Sequence, residues 1–127
     1  MKKKQLSHLQ IDLMRVLWER GEATVAEVHE AVQEHRPLAL TTVATLLKRL
    51  EKGGVVGHRT EGRQFVYRPL VSEREIRRSM VADLIDHLFQ GDSAALVGHL
   101  LTESEIEPGD LKQVRAIIED AEDEPNA

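Results

Sequence analysis

Leu38-Ala39-Leu40-Thr41-Thr42-Val43-Ala44-Thr45-Leu46-Leu47-Lys48-Arg49-Leu50 is the stretch whose reading decides the fold. Val43, Leu46, Leu47 and Leu50 stand at i, i+3, i+4 and i+7, which makes them one apolar stripe of a helix. Thr41, Thr42, Ala44, Thr45, Lys48 and Arg49 lie off that stripe. The outward face is small and hydroxylated at its N-terminal end and cationic towards its C-terminal end, with no acid before Glu51. A helix facing only solvent usually mixes Glu with Lys. A helix that enters DNA carries short side chains where it meets the groove and Arg or Lys where it meets phosphate. A plain core helix with a Thr-rich face fits the same residues, so the neighbouring segments decide between the two.

Upstream, Ser7 is placed to cap a helix running to Arg20, with Ile11, Met14, Leu17 and Trp18 on its inner face and Gly21 as its stop. Thr24-Val25-Ala26-Glu27 is a capping box opening a second helix, whose face is Val25, Val28 and Val32 and which Pro37 ends. The third helix is predicted over 41–51, stopped by Gly53-Gly54. Three short helices with the third polar on its outer side form a helix-turn-helix arrangement. Downstream, Val55-Val56 begins a β-rich run, Thr60-Glu61-Gly62-Arg63 supplies a turn, and Phe65-Val66-Tyr67 returns to Pro69. This hairpin over 55–69 carries Arg59, Arg63 and Arg68. Alone it reads as a cover for the core with solvated arginines. Directly after a helix-turn-helix it reads as a wing whose basic tip reaches a neighbouring groove or backbone.

Composition is consistent with one small domain plus an appendage in 127 residues. Trp18, Phe65, Tyr67 and Phe89 are the only aromatics of the Phe, Trp and Tyr types, so the core is aliphatic. With no Cys, disulfides, thiolate metal sites and Cys nucleophiles are excluded, which fits a cytoplasmic protein. The Lys-rich start is not followed by an apolar run, because Asp12 and Arg15 interrupt it, so no signal peptide is read, and no stretch approaches a membrane span. The net charge of −5 is uneven. Residues 1–69 hold 12 Lys/Arg against 8 Asp/Glu, and residues 70–127 hold 5 against 14. Phosphate binding follows the field of the contacting face rather than the whole-chain charge.

The segments Leu13-Met14-Arg15-Val16-Leu17-Trp18, Thr42 to Leu50, Lys52-Gly53-Gly54 and Glu61-Gly62-Arg63-Gln64-Phe65-Val66-Tyr67 together resemble the BlaI/MecI/CopY family of penicillinase-type repressors, over about residues 6–120. The resemblance implies a winged helix-turn-helix domain, a helical C-terminal dimerisation arm and repression at palindromic operators. It also implies that Thr42 and Thr45 match base-facing threonines and Arg63 a wing-tip arginine. The chain departs from the family twice. The copper-responsive branch has a Cys-rich metal site, and this chain has no Cys. The β-lactam-responsive members are cut by a membrane metalloprotease at an Asn-Phe bond, where this chain reads His99-Leu100. A membrane sensor protease is a partner implied only by that resemblance.

The arm is also legible from residues. Ser72-Glu73-Arg74-Glu75 is a further capping box, opening a helix to about Gln90 with Ile76, Met80, Leu84 and Leu88 in near-helical register. Gly91 closes it, and Ser93 is placed to cap a helix holding Leu96, Val97, Leu100 and Leu101. Pro108 suits the first turn of a last helix with Leu111, Val114, Ile117 and Ile118 on one face. Three short amphipathic helices carry more apolar surface than they can hide alone. A symmetric partner is the simplest cover, and folding back on the same subunit is the alternative.

The expectation is therefore mainly α with a small β-hairpin: a winged helix-turn-helix DNA-binding domain at 1–70, a helical dimerisation domain at 71–121 and an acidic disordered tail at 122–127. The DNA-contacting residues are Thr41, Thr42, Thr45, Lys48, Arg49 and Arg63. The dimerisation residues are Ile76, Met80, Leu84, Leu88, Leu96, Leu100, Leu111, Val114, Ile117 and Ile118. Asp83 and His87 at i, i+4 are read as surface charge rather than a metal pair. No cofactor, membrane contact or enzymatic activity is expected, since Ser72, Ser79, Ser93 and Ser104 lack a nucleophile elbow and no phosphate loop is present. The competing function is a winged-helix module for protein–protein interaction, its basic face set on an acidic partner.

Overall fold

Ser7 starts the first helix as expected. Its hydroxyl accepts from the Gln10 N–H at 3.2 Å, and the Gln10 side chain accepts from the Ser7 N–H at 3.0 Å. Helix α1 then runs His8–Arg20 and buries Leu13, Met14 and Leu17. The computed structural model describes residues 5–103 and 106–123 of the chain. Two compact units are present, Met1–Ala82 and Asp83–Ala127.

In the first unit, Thr24 has two functions. It closes a two-residue strand, β1 (Ala23–Thr24), opposite Val66, and it caps α2 (Val25–Val32) by accepting from the Glu27 N–H at 3.2 Å. Helix α2 ends at Val32, before Pro37, and the loop after it is tied from behind. The Gln33 amide donates to the Leu38 carbonyl at 2.7 Å, and His29 Nε2 meets the same oxygen at 2.9 Å.

The decisive helix, α3, spans Leu40–Lys52, one residue longer at each end than the 41–51 expected. Val43, Leu47 and Leu50 are buried, while Leu46 is half-buried against the core. Its end is a Schellman motif: the Val55 N–H reaches the Leu50 carbonyl at 2.9 Å and the Gly54 N–H reaches Glu51 at 3.0 Å. Gly54 has φ +78°, a conformation in which a side chain would be strained. This stop delivers the chain into β2 (Val56–Glu61), which pairs antiparallel with β3 (Gln64–Pro69) from Val56 opposite Pro69 to Glu61 opposite Gln64.

The sheet has the order β1-β3-β2, so the hairpin gains a third strand that the sequence reading did not contain. Two residues give no periodicity to detect. Tyr67, the central strand's inner residue, is 1% exposed, and Val56 is equally buried. The fold is the expected winged helix, mainly α, with a small antiparallel sheet.

Trp18 ties α1 to the segment that leads into the fourth helix. Its indole Nε1 donates to the Val71 carbonyl at 2.9 Å, just before the Ser72/Glu75 capping box that opens α4 (Glu73–Leu88). Ile76 and Met80, expected on the dimerisation face, belong instead to this first unit. Ile76 is 3% exposed in its core and Met80 packs against it, because the first turns of α4 lie beside α1, with Arg15 and Glu73 3.7 Å apart.

In the second unit, α4 stops at Leu88 rather than Gln90. The cap of α5 (Ser93–Thr102) is Asp92 rather than Ser93, the Asp92 carboxylate accepting from the Ala95 N–H at 3.0 Å. Pro108 opens a single 3₁₀ turn, Pro108–Asp110, that leads into α6 (Leu111–Asp123). Glu122 and Asp123, the first residues of the expected tail, lie in α6. The rest of that tail, 124–127, lies outside the described residues, as does Ser104. No residue of α5 or α6 is buried. Among the described residues, no helix is long and apolar enough to cross a membrane.

Leu47 is fully buried, and it anchors the middle of α3. Leu47→Ala is expected to destabilise the protein by about 2–5 kcal/mol, since it leaves a cavity, whereas Thr41→Ala on the exposed face should stay within about 0.5 kcal/mol. A urea titration followed by the fluorescence of the single Trp18 reads both. Equal midpoints would mean that α3 is not held by this stripe.

Candidate nucleic-acid interface

Burial of one stripe of α3 determines what the opposite side presents. Thr41, Thr45, Lys48 and Arg49 are exposed, and Thr42 is half-buried at the edge of that face. The Thr45 hydroxyl donates to the Thr41 carbonyl at 2.9 Å, so its donor is used within the helix. Arg49 and Lys52 lie in the last turn, where cations also complement the helix dipole.

The wing places Arg63 in the two-residue loop Gly62-Arg63 between the paired Glu61 and Gln64. Gly62 has φ +61° and Arg63 does not, the pattern of a turn that needs glycine at its first central position. An open groove of about 380 Å³ separates α3 from the wing. Leu40, Ala44 and Lys48 line it from α3, Arg63 and Phe65 from the wing, and Val25 from the start of α2. The structure thus brings Lys48 and Arg63 to one rim; Arg49 is on the same helix but does not line this groove.

The cations of this unit divide into two sets. Arg59, which the sequence grouped with Arg63 on the wing, is held by Glu22 at 2.8 Å and Glu61 at 2.6 Å. Those hydrogen bonds raise the Arg59 guanidinium pKa, and the bond from Arg59 holds the Glu22 carboxyl below its ordinary range. Among the described residues, no carboxylate pairs with Lys48, Arg49 or Arg63.

One contact escaped the sequence reading. His58 on β2 lies 2.6 Å from Glu51 at the end of α3 and stacks on Phe65 of β3, ring centroids 3.9 Å apart and planes 15° from parallel. This chain of contacts joins the end of α3 to the wing. Nothing in the spacing of Glu51, His58 and Phe65 signals it, because it depends on the β2–β3 register. Elsewhere, His87 pairs with Asp83 at 3.2 Å, and among the described residues no three His, Cys, Asp or Glu side chains are grouped to hold a metal. The sequence-expected apolar residues of the arm other than Ile76 and Met80 lie in the second unit. Leu84, Leu88, Leu111, Ile117 and Ile118 are exposed, Ile117 the most at 67%, while Leu96, Leu100 and Val114 are half-buried.

Comparison with known proteins places this arrangement. A family model described as penicillinase repressor matches residues 6–120. The penicillinase repressor of Bacillus licheniformis is 26% identical over 116 residues, 91% of this chain and 91% of that protein. The methicillin resistance regulatory protein MecI of Mammaliicoccus sciuri is 23% identical over 114 residues, 90% of this chain and 93% of that protein. Among solved structures, the DNA-binding domain of the repressor BlaI matches with a TM-score of 0.53 at 32% identity, over 58% of this chain and 90% of that one. The monomeric form of Bacillus licheniformis BlaI, solved in complex with the blaP half-operator, gives 0.51 and 32% over the same shares.

The Glu22–Arg59 pair carries a pH signature. Glu22 titrates below its ordinary 4.5, so its contribution to the folded wing is complete above that value and is lost as pH falls through the lower folded one. Carbon NMR of the Glu22 carboxyl should show a midpoint below 4.5 that returns to the ordinary range in Arg59→Ala. A midpoint that does not move between the two proteins would sever the pair.

Proposed function

Since the chain belongs to the penicillinase repressor family, whose members are transcriptional repressors and not enzymes, we propose that it represses transcription by binding a palindromic operator as a homodimer. The observation that carries the reading is the groove rim. Lys48 from α3 and Arg63 from the wing border one surface with the short residues of α3, and among the described residues no carboxylate neutralises either. In this reading, α3 enters the major groove, with Thr41, Thr42 and Thr45 towards the bases. Lys48 and Arg49 meet phosphates, and Arg63 follows the backbone from the wing. The solved BlaI half-operator complex supports DNA as the ligand of this kind of unit.

The first unit supplies the DNA contacts, and the arm from residue 83 to 121 supplies the pairing. Leu84, Leu88, Leu96, Leu100, Leu111, Val114, Ile117 and Ile118 form the pairing surface, since none of them is buried in its own chain. Two-fold pairing makes the operator a palindrome, and the second half-site contact becomes nearly intramolecular. Acting on DNA places the protein in the cytoplasm.

Two measurements test this. DNA fragments bound by the full chain are selected from the source genome, and their affinity is followed against salt. Lys48→Ala and Arg49→Ala should each flatten the slope of log affinity against log salt by about one unit, and Arg59→Ala by less, because its charge is already paired. Binding that ignores salt would favour a protein partner instead. In sedimentation, the parent should be dimeric at micromolar concentration and the double variant Ile117→Asp, Ile118→Asp monomeric. A variant that stays dimeric would move the pairing surface elsewhere.

A further inference from the structure

A base edge in the major groove is read in one of two ways. A side chain with donors or acceptors meets the hydrogen-bonding pattern, or an apolar surface meets the 5-methyl of thymine. For the first way, the first two turns of α3 offer only the single hydroxyls of Thr41, Thr42 and Thr45, which Thr can set on either base and which therefore discriminate weakly. Leu40-Thr41-Thr42-Val43-Ala44-Thr45 contains no Arg, Lys, Asn, Gln, Asp or Glu, so neither the bidentate reader of guanine nor that of adenine is present. The Thr45 hydroxyl already donates its hydrogen bond to the Thr41 carbonyl at 2.9 Å, which leaves it only as an acceptor.

Apolar surface supplies the second way. Leu40 is 50% exposed at the very start of the helix, where a solvated position favours a polar residue. Ala44 lies one turn further along the same side, and both line the groove whose opposite wall is Phe65, 41% exposed. Lys48 and Arg63 line the same groove and add positive charge beside this apolar surface. An apolar floor beside unpaired cations fits a ligand that is apolar at one edge and anionic at its flank, as a thymine-bearing DNA strand is.

We propose that Leu40 and Ala44, facing Phe65, receive thymine 5-methyl groups, so that this repressor reads its half-site as thymines through methyl contact. The inference rests on the reading that α3 enters the major groove. Four residues of helix rise about 6 Å, close to two base-pair steps of about 3.4 Å, so the pair of side chains suits thymines two steps apart.

The test needs no altered protein to begin. The full chain selects duplexes from a random-sequence pool, and the enriched duplex is resynthesised with deoxyuridine for each thymine in turn, which removes the methyl and keeps the base pairing. At one or two positions per half-site, affinity should fall about fourfold per methyl, about 0.8 kcal/mol at 1.4 kcal/mol per factor of ten. Leu40→Ala, at a half-exposed position, should bind the thymine duplex about fourfold more weakly and lose the response to deoxyuridine at one of those positions. If the enriched duplex binds tightly and no deoxyuridine matters, the methyl contact is overturned while the repressor reading stands. If the deoxyuridine effect persists undiminished in Leu40→Ala, its assignment to this cleft is overturned. If the pool yields no preferred sequence, both the inference and the operator reading are overturned together.

Discussion

The fixed rotation of α3 about its own axis is the constraint on which the rest depends. Successive residues of a helix are set about 100° apart, so burying Val43, Leu47 and Leu50 leaves only one orientation for everything else on it. The stripe packs into a core that contains Leu13, Met14 and Leu17 of α1, Val28 of α2 and Tyr67 of β3. Each of these elements comes from a different part of the first unit, so the orientation of α3 is agreed by all of them. Thr41, Thr45 and Lys48 face outward as a consequence of that agreement, and their own side chains do not decide it.

Electrostatics then separates structural cations from available ones. Arg59 is sandwiched by two carboxylates, one from the turn after α1 and one from its own strand. It fastens β2 to the body of the unit, and its charge is answered before any phosphate could meet it. Arg63 is four residues away on the same hairpin, at a turn that sets it beyond the paired strands. Local charge decides binding here. The chain totals −5, yet at physiological salt a field decays over about 8 Å, so Lys48 and Arg63 at the groove act through their own local field.

Much of this was legible in the sequence because it depends on short-range pattern. The Ser7, Thr24 and Ser72 boxes are read from spacings of three residues and occur as read. The stripe of α3, the Gly53-Gly54 stop and the Gly62 turn come from periodicity and backbone freedom alone. What was not legible depends on register and tertiary placement. Strand β1 is too short to carry a period, and it exists because Tyr67 and Val66 offer an edge to Ala23 and Thr24. The His58 stack on Phe65 and its contact with Glu51 arise from two strands and a helix end meeting, and no spacing encodes that. Periodicity places the Thr45 hydroxyl on the outer face, whereas in the helix that hydroxyl turns back to Thr41.

Helix α4 shows most plainly where pattern stops being informative. Ile76, Met80, Leu84 and Leu88 recur every four residues, and sequence treats them as one face with one purpose. Their exposure rises along the helix, from 3% at Ile76 to 41% at Leu84 and 64% at Leu88. The first two residues serve the core of their own unit, and the last two are left for some other surface. A hydrophobic period states that a residue will be covered but not by what, because burial within a chain and burial between chains draw on the same transfer free energy. The change of use falls within one unbroken helix, at the division between the two units, so the element that completes the first core also carries the first exposed residues of the arm. A substitution at Ile76 therefore disturbs the core of the first unit, while one at Leu88 leaves that core untouched. Two residues of identical pattern have different physical consequences, and only the three-dimensional structure separates them.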